Sequence, residues 1–172
     1  MTVNSVASFK AAIATLITRE LRAVKRELDA YPDDAAVWKQ LPGLPNTGGT
    51  LALHVAGNLQ HFFGSILIRD GFVRTRDLEF SRRDVPRSEL KQGIDAAIAS
   101  VEKTMKALAD AAVLAAYPEP IAKRTVSTDV WLMHLVAHLG YHLGQIDYHR
   151  RAVTGDGQGV DAVSVRELPE RA

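Results

Sequence analysis

Apolar residues recur every three or four positions in four separate stretches of the chain. Val6, Phe9, Ile13, Leu16, Ile17, Val24 and Leu28 lay one such stripe over residues 5–30. This is the repeat of an amphipathic helix turned toward a core. Ser5 stands where an N-cap belongs, and Tyr31-Pro32 ends the helix, since the residue before proline avoids helical geometry. Residues 31–49 carry Pro32, Pro42, Pro45, Gly43, Gly48 and Gly49 and read as a connection.

The second stretch, 50–69, holds no charge until Arg69, with Thr50 as its expected cap and Asp70-Gly71 as its end. Its length approaches the roughly 20 residues of a membrane span. His54, Asn58, Gln60 and His61 are costly in lipid, so a buried central helix of a soluble bundle is the expectation. A charge-rich segment follows over 71–85, with Asp84 as a cap and Pro86 just inside the next helix. Leu90, Ile94, Ile98, Val101, Met105 and Leu108 form a third stripe, over about 86–110. After a linker at 111–127, the Ser127-Thr128-Asp129 cluster opens a fourth helix that runs to about 152. The pattern predicts an all-α four-helix bundle over residues 1–153, with a tail at 154–172 that can dock on it. Within the tail, Val163–Val165 reads as a short strand or a docking point.

Composition narrows the chemistry. The 172 residues suit one domain. Lys plus Arg number 21 against 20 Asp plus Glu, which argues against a nucleic-acid surface. Cysteine is absent, which removes disulfides, thiolate metal sites and a cysteine nucleophile. The opening residues MTVNSVASFK lack the basic and apolar regions of a signal peptide, and a cytoplasmic location is expected.

Four of the six histidines fall between 134 and 149. On the fourth helix, His134, His138 and His142 are spaced by four residues. Each step advances about 40°, so the three form a shallow stripe shared with Trp131, Leu135, Gln145 and Ile146, expected to face the interior. Neighbouring imidazoles four apart can converge on one ion. His134 and His142 lie about 12 Å apart along the axis, so all three cannot share it. One adjacent pair plus a histidine of the second helix, His54 or His61, would leave coordination positions open for water or substrate. If the two helices ran parallel with flush ends, His134 and His138 would match the height of His54 best. HExxH, Glu-x-x-His, Walker, GxGxxG and GxSxG motifs are all absent.

The segments Leu53-His54-Val55-Ala56-Gly57-Asn58-Leu59 and His134-Leu135-Val136-Ala137-His138-Leu139-Gly140-Tyr141-His142-Leu143-Gly144-Gln145-Ile146 resemble the DinB/YfiT-like metalloenzyme family. Arg76-Asp77-Leu78-Glu79-Phe80 is similar to one subgroup. The resemblance spans about residues 5–152 and implies a four-helix bundle, commonly dimeric, with a divalent ion held by three histidines. Carried over by position, these are His54, His138 and His142, with His134 as the substitute ligand. The family's assigned chemistries imply a thiol-dependent S-transferase or related transferase or isomerase acting on a small molecule. Zinc is the expected ion and nickel the alternative. With no cysteine in the chain, a thiol must arrive as a low-molecular-weight cofactor.

Other residues are weighed against plainer roles. Asn58 orients a metal-bound water or bonds between helices. Gln145 supports a ligand or simply packs. His61 lines the pocket or stands aside, and His149 is an ordinary core imidazole. Arg76 and Glu79 form a local ion pair, unless Arg76 binds a substrate anion. Gly57, Gly64, Gly140 and Gly144 mark close helix approach. The catalytic residues are unknown at this level. Two competing readings are a non-catalytic, metal-stabilised dimeric bundle that serves a stress response or binds a partner, and a metal-free bundle with core histidines.

Overall fold

The computed structural model describes residues 3–170, with side chains from Ser5 onward. It is all-α; among the described residues only two isolated β-bridges interrupt the helices and loops. Four long segments carry the fold. They are α1 (Val3–Asp29), α3 (Gly48–Leu59), α6 (Arg87–Ala107) and α8 (Thr128–Thr154). Helix α3 continues through a π-helical stretch, Gln60–Ser65, into a last turn, α4 (Ile66–Ile68). Arg69, in the left-handed region at φ 52°, stops it. Short helices occupy the expected loops: α2 (Asp34–Val37), α5 (Arg76–Ser81) and α7 (Asp110–Leu114). Periodicity misses them because each makes at most two turns.

Helices α1 and α3 both pack on α6 and α8. The ion pairs Lys10–Asp110 (3.0 Å) and Lys25–Asp95 (2.6 Å) set α1 antiparallel to α6. Gly93 lies against Ala56, and Gly64 against Ser100, so α3 and α6 run parallel. Gly48 lies against His149 while the Phe62 ring stands 5.0 Å from Trp131, which makes α3 and α8 antiparallel. The order is therefore up, down, down, up. The expected stripes meet in one core: Ile13, Ile17, Leu21 and Leu28 of α1, Leu51 and Val55 of α3, Ile94 and Val101 of α6, Leu135, Leu139 and Ile146 of α8. The uncharged run Gly48–Ile68 has the length and apolarity of a membrane span, yet it packs in this bundle with half of its most apolar stretch buried.

The caps differ from expectation. Thr47, not Thr50, caps α3: its Oγ1 accepts from Thr50 N at 3.2 Å. Pro86 is the N-cap of α6, while Asp84 sits left-handed at φ 55° and caps nothing. Ser5 lies inside α1. Ser127 precedes α8 without a side-chain capping bond.

Among its described residues the tail has no strand; Val165–Glu167 is a single 3-10 turn, and Val163 and Val165 are exposed. It lies along α1 and α8 through arginines that donate to its carbonyls. Arg150 reaches Asp156 O (3.0 Å) and Gln158 O (2.6 Å). Arg26 reaches Val160 O (2.9 Å) and Asp161 O (3.0 Å), and Arg19 reaches Ser164 O (3.2 Å). Fully buried Arg150 also pairs with fully buried Glu27 at 2.8 Å. Residues 171–172 of the expected tail lie outside the described residues.

Candidate metal centre

The antiparallel setting of α3 and α8 decides which imidazoles meet. Gly48 opposes His149 and Phe62 opposes Trp131, so His54 falls opposite His142 and His138. The premise of parallel, flush helices, which favoured His134, fails on this direction. One nitrogen from each of His54, His138 and His142 lies within 4.8 Å of the other two. His138 Nε2 stands 3.1 Å from His142 Nε2 and 3.5 Å from His54 Nε2. Two nitrogens bound tetrahedrally at about 2.0–2.1 Å to one ion would sit about 3.3 Å apart.

The outer nitrogens are committed. His54 Nδ1 donates to Glu79 Oε2 at 2.9 Å, and His142 Nδ1 donates to Gln145 Oε1 at 2.7 Å. A ring that donates through Nδ1 presents a bare lone pair at Nε2. This carboxylate–histidine arrangement also orients metal-ligating imidazoles. Glu79 is held by Arg74, whose Nε and Nη2 donate to its two oxygens at 2.6 and 2.8 Å. Burial alone would raise the Glu79 carboxyl, but the bonds from Arg74 and His54 outweigh it and hold it below the usual range. Helix α3 leaves room for this carboxylate at Gly57, where a Cβ would lie 2.3 Å from Glu79 Oε1.

Burial, followed by the neighbouring His142 and His54, lowers the His138 imidazole to about 4. Burial lowers His142 as well, against the bond to Gln145. Both rings are therefore neutral at pH 7, the state in which an imidazole binds a metal.

The remaining expected residues divide. His134 is exposed, because two further steps of 40° carry the stripe from His142 out of the interior. It stacks on Trp131 with ring centroids 4.7 Å apart. His61, nearly two turns beyond His54, is 3.5 Å from Glu119. Asn58 is buried one turn past His54, and its Oδ1 has no hydrogen-bond partner among the described residues, so this oxygen makes no helix–helix bond, one of the two roles considered for the residue. His149 is a core imidazole, with Tyr31 Oη donating to Nδ1 at 2.7 Å and Nε2 donating to Lys39 O at 2.8 Å. Glu79 pairs with Arg74 rather than Arg76, which instead lies over the Phe80 ring at 4.9 Å. Glu79 comes five positions after Arg74, and the loop before α5 folds back to join them. Gly140 and Gly144 face open space, unlike Gly57 and Gly64.

A helical bundle in which two of its helices bring three imidazoles together is a protein with a histidine group able to hold a metal ion. The sequence profile of the DinB superfamily matches residues 16–146, and the chain belongs to that superfamily. No curated protein and no solved structure shows significant similarity to it.

Proposed function

We propose that this chain is a divalent-metal-dependent enzyme whose ion is held by His54, His138 and His142. The observation that carries this reading is the convergence of three Nε2 atoms at spacings suited to one ion, with two Nδ1 atoms tied behind them. Bound zinc, or nickel in its place, would supply Lewis acidity at its open positions. Glu79 and Gln145 fix the tautomers of His54 and His142, and Arg74 keeps Glu79 ionised. Asn58 offers an unpaired acceptor on the His54 face for a water or a substrate donor. The favoured reaction is thiol-dependent S-transfer or a related transfer or isomerisation of a small molecule. The thiol is a low-molecular-weight cofactor, because the chain has no cysteine. A cytoplasmic setting suits that chemistry, and the balanced charge suits neither nucleic acid nor membrane as a partner.

Elemental analysis of protein made without a polyhistidine tag tests the site. One equivalent of zinc or nickel is expected, with none in His138→Ala. Less than about a tenth of an equivalent after incubation with either ion would overturn the reading. Turnover of small thiols with electrophiles, lost on chelation and restored by zinc, is the expected mark of the enzyme.

A second reading draws on the exposed face of α8, where Met133, Tyr141 and Tyr148 stand in solvent. There the chain is a metal-stabilised homodimer without catalysis. Zinc would then raise the melting temperature and support no turnover. Light scattering on Tyr141→Glu reads whether this face joins two copies.

A further inference from the structure

Next to the imidazole cluster lies a cleft of about 400 Å³. Its apolar walls include Ile121, Val126, Val130 and Trp131, and its polar side chains are Arg124 and His134. The volume falls in the range of small-molecule sites, which pair apolar walls with a few placed polar groups. His134 joins the cleft to the cluster, since its ring lies against Trp131 on one side and 6.1 Å from the His138 ring on the other.

The backbone around Arg124 is strained. Ile121 and Arg124 exchange two backbone hydrogen bonds of 2.9 Å around a two-residue turn. Ala122 (φ 48°) and Lys123 (φ 66°) are both left-handed. Turns of this kind favour Asn-Gly, because a side chain with a Cβ clashes with its own backbone in the left-handed region. Strain kept in this way is a mark of functional placement, and here it sets Arg124 in the cleft wall. Arg124 has no ion-pair partner among the described residues.

We propose that this cleft binds a small organic acid, with its flat apolar body against Trp131, Val126 and Val130 and its carboxylate on Arg124. As a substrate subsite it rests on the metal-enzyme reading; as a binding site it stands without the ion. The test is titration of the ¹⁵N-labelled full chain with 1-naphthoate, following the Trp131 indole N–H by NMR. Trp131→Phe assigns that signal apart from Trp38. The neutral 1-naphthylmethanol serves as the comparison. Saturable naphthoate binding is expected to shift the Trp131 signal. Arg124→Ala should weaken it about tenfold and Arg124→Lys less, while the alcohol binds both variants as it binds the parent. The same titration with excess chelator, so that no ion is bound, should give the same naphthoate shift and affinity. An unmoved Trp131 signal, or equal naphthoate affinity in Arg124→Ala, overturns the proposal even if zinc binds. Arginine-dependent binding in a chain that takes up no zinc supports the cleft and overturns the metal reading alone.

Discussion

Replacing Gly57 by alanine probes the support of the histidine cluster without touching a histidine. A Cβ at this position would lie 2.3 Å from Glu79 Oε1 and 3.0 Å from its Cδ. Carbon contacts settle near 3.5–4.0 Å, so the carboxylate must retreat by about 1 Å. The His54–Glu79 bond, now 2.9 Å, then stretches beyond hydrogen-bond range. Loss of a hydrogen bond to a charged group costs about 1.5–3 kcal/mol. The gain in helix propensity on leaving glycine returns about 1 kcal/mol. A net destabilisation of about 0.5–2 kcal/mol is expected, with zinc affinity down about 10–100-fold through the misaligned His54. Gly140→Ala is the control: its Cβ meets open space, and a gain of about 1 kcal/mol is expected. Thermal melts of the metal-free proteins and competition titration with a zinc chelator read both effects. If Gly57→Ala melts as high as Gly140→Ala and keeps parental zinc affinity, the role given to Glu79 is wrong.

Acid should weaken the metal-free chain between about pH 6.5 and 4. Folding lowers His138 to about 4 from 6.5, so in that window the unfolded chain binds more protons and stability falls with falling pH. His138→Asn should flatten the dependence of melting temperature on pH, and an unchanged slope would refute the assignment. His149→Ala should cost about 2–4 kcal/mol by chemical denaturation, because the buried Tyr31 hydroxyl and Lys39 carbonyl lose their partner. It should leave zinc stoichiometry intact, and lost zinc with retained stability would reverse the roles of the histidines. Arg150→Ala should cost about 3–5 kcal/mol in the same assay, since it strands the Glu27 carboxyl in the core; a change under about 1 kcal/mol would show that pair to be inert.

Long helices were legible because periodicity speaks over several turns. Residues 5–30 and 86–110 contain the stripes that become Ile13 to Leu28 of α1 and Leu90 to Met105 of α6. Short helices were not, nor was helix direction, which depends on how the connections cross rather than on any stripe. Direction in turn decides whether His134 or His142 opposes His54, so spacing alone left that choice open and the family resemblance pointed to His142. Glu79 was hidden for a different reason. Its identity matters through contacts to Arg74 and His54, which only a folded loop creates. The segment 76–80 had drawn notice by resemblance, yet its nearer cation, Arg76, was the wrong partner.

The arginines that hold the tail grip its main-chain carbonyls at Asp156, Gln158, Val160, Asp161 and Ser164. Every amino acid carries that carbonyl. The tail can therefore drift in evolution at most of its positions while staying in place, provided the turns at Gly155, Asp161 and Val163 keep residues that accept a positive φ. Selection should fall instead on Arg19, Arg26 and Arg150, so relatives are expected to share the arginines of α1 and α8 while their tails read as unrelated text.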